Sequence, residues 1–190
     1  MRTLLESARM LLALSLLTGL VYPLMVTAIG QALFPVQSGG SLIDNGGVIV
    51  GSTLIGQASD DPRYFQPRPS AIDYNPLPSG GSNQSATSRA LESSVAERAT
   101  SLEALYPAHA GAAWPADLLS ASASGLDPHI SPEAARLQVA RIAEARGFDA
   151  AQRAALAALV ERRIEPPTVG FLGAPRVNVL LLNLELDDIQ

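Results

Sequence analysis

Between residues 10 and 34 the chain reads MLLALSLLTGLVYPLMVTAIGQALF, 25 residues without a charge, and the next charged side chain is Asp44. As a helix rising 1.5 Å per residue the run would be about 37 Å long, enough to cross a hydrocarbon core of about 30 Å with some tilt. The apolar region of a cleaved signal peptide is about 7 to 15 residues and ends in small residues at a cleavage site. This run is longer, and Gly30-Gln31-Ala32 is a poor cleavage match, so a retained single-pass anchor is expected. Basic residues next to a span tend to stay on the cytoplasmic side. Arg2 and Arg9 flank its start, whereas the first basic residue beyond it is Arg63. The arrangement predicts an inner-membrane protein with residues 1–9 in the cytoplasm, 10–34 in the membrane and the remainder in the periplasm.

Within the span, Ser15, Gly19, Pro23, Thr27 and Gly30 recur at steps of 4, 4, 4 and 3. Residues spaced this way share a helical face, and small residues let a second membrane helix approach closely. The stripe is a candidate docking face for a partner helix, set against the alternative of a lone anchor with scattered small residues. Pro23 should kink the span or need a neighbour for the carbonyl it leaves unpaired.

Composition narrows the chemistry of the rest. All 13 basic residues are arginine, which excludes a P-loop lysine and a Schiff-base lysine. There is no cysteine, hence no disulfide, thiolate nucleophile, iron–sulfur cluster or cysteine zinc site. The two histidines, His109 and His129, lack metal-ligand spacing, so no metal centre is expected. A pI near 5.0 argues against nucleic acid as a partner.

The extra-membrane part reads as α+β, a single extracytoplasmic domain over 47–190 with about three helices and a small sheet, reached through a flexible exit segment, 35–46. Residues 48–57 look like strand or hairpin. Residues 60–83 hold five prolines and two glycines, which excludes regular structure, yet Tyr64, Phe65, Ile72 and Tyr74 predict an ordered, packed loop. Helical periodicity then predicts a helix over 84–105 capped by Ser82 or Asn83. A second helix should start at Ser131-Pro132-Glu133 and end at Gly147, and a third should be opened by a capping box of Asp149 and Gln152. The apolar run 175–187 predicts a buried strand.

Two constellations could carry chemistry. Asp127 and His129, separated by Pro128, could serve as base and orienter, or simply form the turn that positions the Ser131 helix. The string Ser79, Gly80, Gly81, Ser82, Asn83 could present backbone amides to an anion ahead of a helix, although it lacks a lysine and follows no strand; a plain loop is the stronger physical reading.

After one N-terminal span, the ordered set GSTLIGQ (51–57), YFQPRPSA (64–71), YNPLPSGGSN (74–83), SASGLDPHISPEAARLQVARIAEARG (122–147) and FLGAPRVNVLLLNLELD (171–187) closely resembles the C subunit of the Kdp potassium-transporting P-type ATPase. The resemblance implies an accessory, non-catalytic subunit of an ATP-driven potassium import complex. Its partners would be a channel-like potassium-translocating subunit and a P-type ATPase subunit. It also implies a catalytic-chaperone role that raises affinity for ATP, with the 79–83 string as the nucleotide-contacting region; the predicted topology puts that string outside the cytoplasm and conflicts with direct contact. Rival readings are a membrane-tethered periplasmic hydrolase using Asp127 and His129, and an anchored ligand-binding module.

Overall fold

The computed structural model describes residues 1–189, which fall into two compact units, Met1–Ser52 and a second that starts at Thr53. In the first, α1 is one continuous helix, Arg2–Leu33, long and apolar enough to span a membrane, with every residue exposed except the half-buried Gly30. Its middle, Leu17–Val21, is a π turn in which the Tyr22 N–H donates to the Leu17 carbonyl. The wide turn sits immediately before Pro23, whose ring would otherwise meet the carbonyl four residues back. A single turn, α2 (Pro35–Ser38), follows. Strands β1 (Leu42–Asn45) and β2 (Val48–Ser52) then pair antiparallel around Gly46 and Gly47. Both glycines have positive φ, 66° and 89°, as a two-residue hairpin turn requires, and the Gly47 N–H donates to Asp44 Oδ1 at 2.8 Å. Residues 35–46, read as a flexible exit, thus hold the single turn α2 and strand β1, and Gly46 at their end opens the hairpin turn. The hairpin belongs with the first unit, so the division falls at 52/53.

The second unit contains α3 (Arg89–Leu105), a short α4 (Ala116–Leu119), β3 (His129–Ile130), α5 (Pro132–Arg146), α6 (Ala150–Arg162), β4 (Val177–Asn178) and α7 (Val179–Leu186). The termini of α5 and α6 follow the expected chemistry. Ser131 Oγ accepts the Ala134 N–H at 3.1 Å and Gly147 takes the left-handed conformation after Arg146. Asp149 and Gln152 form the full capping box. Helix α3 begins later than its periodicity suggests, at Arg89 with Ser88 as cap, because the hydroxyls of Ser85 and Thr87 form a local turn that competes with helix.

The expected strand over 175–187 is corrected. Only Val177 and Asn178 are extended, pairing with Ile130 and His129; the Asn178 side chain then accepts the Leu181 N–H at 3.1 Å and starts a helix. Val179, Leu182 and Leu186 point inward at helical steps of three and four. The core is built from these three, Ala134, Ala135, Ile142 and Ala143 of α5, Leu156, Leu159 and Val160 of α6, and Phe65 from the proline-rich loop.

Candidate functional site

The proline-rich segment is ordered by side chains that take the place of a neighbouring strand. Phe65 is fully buried, and its backbone N–H and C=O pair with the Asn183 amide at 2.8 and 3.0 Å. One residue on, the Gln138 amide accepts the Gln66 N–H at 2.7 Å and donates to its carbonyl at 3.0 Å. Burial of an extended segment is tolerable only if its backbone groups find partners, and two amides from α7 and α5 supply four such bonds. Arg141 adds bonds to the carbonyls of Pro62 and Tyr64 and to the Tyr106 hydroxyl. Arg146 donates to the Arg63 carbonyl at 2.8 Å, pairs with Asp187 at 2.7 Å and lies 4.7 Å from the centre of the Tyr64 ring.

Further along the same segment, Arg68 Nη1 donates to Asp127 Oδ2 at 2.9 Å. Asp127 Oδ1 accepts the His129 backbone N–H at 3.0 Å and lies 3.4 Å from its ring Nδ1. Burial alone would raise the Asp127 pKa, but the hydrogen bonds from the His129 ring and backbone and from Arg68 outweigh it and hold the carboxyl at about 2. The Tyr74 hydroxyl donates to the Arg68 carbonyl, and burial followed by the nearby Asp127 charge pushes that phenol up to about 12. Ser131, the nearest hydroxyl in sequence, donates to Asp117 Oδ1 at 2.9 Å while capping α5. Asp127 and His129 are thus brought together, but as a node pinning the loop to the start of β3. The hydrolase reading fails on this geometry, since the carboxylate is bound by Arg68 and the serine serves as a cap.

The 79–83 string is backbone packing rather than the mouth of a helix. The Gly80 N–H donates to the Ser124 carbonyl at 3.0 Å. A Cβ on Gly81 would stand 2.9 Å from the Ala123 carbonyl oxygen, and Gly125 opposite, at φ 68°, would place one 2.4 Å from Ile72 Cγ1. With α3 starting only at Arg89, Ser79, Ser82 and Asn83 do not lie at a helix N-terminus. Among the described residues no group of three or more metal-binding side chains occurs.

On α1, the π turn changes how the small residues align. In an uninterrupted α-helix each four-residue step over-rotates by about 40°, so Ser15 and Thr27 would diverge by about 120°. The extra residue of a π turn returns about 100°, and the turn at Leu17–Val21 lies inside the interval. Ser15, Gly19, Pro23 and Thr27 are therefore nearer to one line than regular helix would place them. A Cβ on Gly19 would meet nothing within 4 Å.

Sequence reasoning missed Gln138, Arg141 and Asn183, which hold the loop; each lies on a helix and carries no local motif. Comparison with known proteins extends over the whole chain. The family model described as K+-transporting ATPase, c chain (KdpC) matches residues 4–188. A potassium-transporting ATPase KdpC subunit from Cereibacter sphaeroides is 52% identical, with 93% of this chain and 92% of the relative aligned. That from Geobacter sulfurreducens is 50% identical over 100% of both chains, and that from Rhodospirillum rubrum is 50% identical over 99% and 96%.

Proposed function

Because the chain belongs to the KdpC family, the c chain of the K+-transporting ATPase, we propose that it is the accessory, non-hydrolytic subunit of an ATP-driven potassium import complex. It assembles with a channel-like translocating subunit and a P-type ATPase subunit in the inner membrane. The observation that carries this is the alignment of membrane helix and second unit together, end to end, with relatives at half identity. The clamp on the proline-rich loop and the Asp127 node hold that loop on the second unit through side chains that are already paired, which suits binding a partner better than turnover.

The α1 stripe of Ser15, Gly19, Pro23, Thr27 and Gly30 is the helix-docking face in this reading, since its small residues permit close approach. In this reading the unit beyond it lies outside the cytoplasm, an orientation that the placement of Arg2 and Arg9 supports. For the 79–83 string the geometry supports packing against Ala123 and Ser124; an effect on ATP affinity then passes through the ATPase subunit. Tagging the chain and purifying it in mild detergent should recover both partners, and the chain alone should show no ATP hydrolysis. Recovery without either partner would overturn the proposal.

A further inference from the structure

The π turn of α1 leaves one backbone carbonyl in the hydrocarbon without a donor. In a regular helix the Thr18 carbonyl would accept from the N–H of residue 22, but the Tyr22 N–H donates to Leu17 instead. The π pattern would hand that bond to residue 23, and Pro23 has no N–H. Thr18 thus loses both of its helical donors. It is exposed, as are the residues around it on α1. It lies four residues from the centre of the uncharged run 10–34, about 6 Å along the axis and well inside a hydrocarbon core of about 30 Å. Lipid tails carry no donor and the core holds no water, so a bare carbonyl at that depth is costly until another protein group reaches it.

We propose that the Thr18 carbonyl accepts a hydrogen bond from a neutral side chain, a hydroxyl, carboxamide or indole N–H, carried by a transmembrane helix of a partner subunit. The proposal deepens the docking reading of α1 and rests on it, but the carbonyl, not the small residues, specifies the chemistry of the occupant. Pro23 stands five residues on, where the missing donor would be, so the open acceptor lies beside the Pro23 ring on the line of the stripe. The adjoining Gly19 has no side chain, and even a Cβ there would meet nothing within 4 Å, which leaves a donor room to approach the backbone. A charged donor is disfavoured this deep in the bilayer. A second copy of this chain is the poorer occupant. In a parallel pair the same level presents Gly19, with no donor side chain, and Thr18, whose hydroxyl already donates to the Leu14 carbonyl at 2.7 Å; Ser15 and Tyr22 are each about a turn away. In the assembly proposed above, the helices of the partner subunits are the remaining source.

The test reads that one carbonyl in the full chain. Thr18-Gly19 is the sole Thr-Gly step in the sequence and Thr27-Ala28 the sole Thr-Ala step. Threonine labelled with 13C at the carbonyl, combined with 15N-glycine or 15N-alanine, therefore resolves each carbonyl by itself in solid-state NMR. Thr27, inside the regular helix that runs to Leu33, is the internal control. A carbonyl carbon moves downfield when its oxygen accepts a hydrogen bond. With the chain labelled and its partners unlabelled, the Thr18 signal should move downfield between dilute vesicles of the chain alone and the assembled complex, while the Thr27 signal stays. Pro23→Ala restores a helical donor and should move the Thr18 signal downfield in the chain alone. A Thr18 signal at the same position in the chain alone and in the complex would overturn the proposal, as would a signal indifferent to Pro23→Ala. A downfield shift that appears when vesicles are crowded with the chain alone would assign the acceptor to a second copy and overturn it too. If the labelled chain recovers no partner, the proposed function itself falls, an outcome distinct from a complex in which the Thr18 signal is unmoved.

Discussion

Gln138 shows how much of this molecule depends on single side chains. It is fully buried, and its amide satisfies both backbone groups of Gln66 and accepts from Arg141 at 2.8 Å. Gln138→Leu leaves the N–H and carbonyl of half-buried Gln66 without their partners, each costing about 1 to 3 kcal/mol where water cannot replace them, so the full chain should lose about 2 to 6 kcal/mol in urea unfolding. Gln138→Glu keeps the acceptor and loses one donor, and should cost less at neutral pH. Equal stability of Gln138→Leu and wild type would show that the clamp contributes nothing. Asp127 supplies a pH signature. Its carboxyl titrates at about 2 in the folded chain against an ordinary 3.8, so its stabilisation is complete above about pH 4 and is lost as pH falls from there towards 2. Discounted for partial exposure, the loss is about 1 to 2 kcal/mol. Asp127→Asn should flatten that part of the stability profile, and an unchanged acid limb would remove the node as its cause. Neither role was legible in the sequence. Gln66 and Gln138 are 72 positions apart, and a lone glutamine on a helix carries no sign that it will stand in for a strand. The Asp127-His129 pair did stand out, but its partner Arg68 lay 59 positions away, and without it the pair could be read as catalytic.

Among the elements, legibility followed local chemistry. Helix α5 declared both ends and α6 its start because Ser131, Gly147 and the Asp149–Gln152 box act within a turn of themselves. Helix α7 did not, because an apolar run of eight residues fits a buried strand and a buried helix equally until its cap and partners are known; Asn178 looked like a strand residue and proved to be the cap. The start of α3 was lost to serine and threonine turns that periodicity does not record. The membrane helix was plain from its length, but the π turn was visible only as Pro23. That turn makes a test of the docking face sharper. Since Gly19 has open space around it within its own chain, Gly19→Leu should fold and insert normally, so any loss of assembly reports a neighbouring helix. We expect the variant to weaken assembly by about 1 to 3 kcal/mol, the range for overpacking a close contact. Leu17→Ala, in the same π turn as Gly19 but off the stripe, should do less. Comparable recovery of both complexes in detergent would dissociate the stripe from assembly.

At the scale of the whole molecule, function depends on which side of the membrane the second unit occupies. The family assignment was legible because five motifs occur in order from 51 to 187, whereas the loop clamp and the open Thr18 carbonyl required coordinates. Orientation is carried by arginine placement alone: two before the span, and none after it until Arg63. Translocating Arg2 and Arg9 would move two permanent charges through hydrocarbon, while the flank that should cross carries no positive charge from 35 to 62. The chain's lack of cysteine makes this directly measurable. Ser85 is exposed, and its hydroxyl makes only local contacts to Thr87, so Ser85→Cys should leave the fold intact and present one reactive thiol. In intact cells whose outer membrane passes small solutes, a membrane-impermeant maleimide should label this thiol fully, with no gain on lysis. A thiol that reacts only after lysis would put the second unit in the cytoplasm. It would then sit beside the ATPase machinery rather than the potassium entrance, and direct contact between the 79–83 string and nucleotide would again be possible.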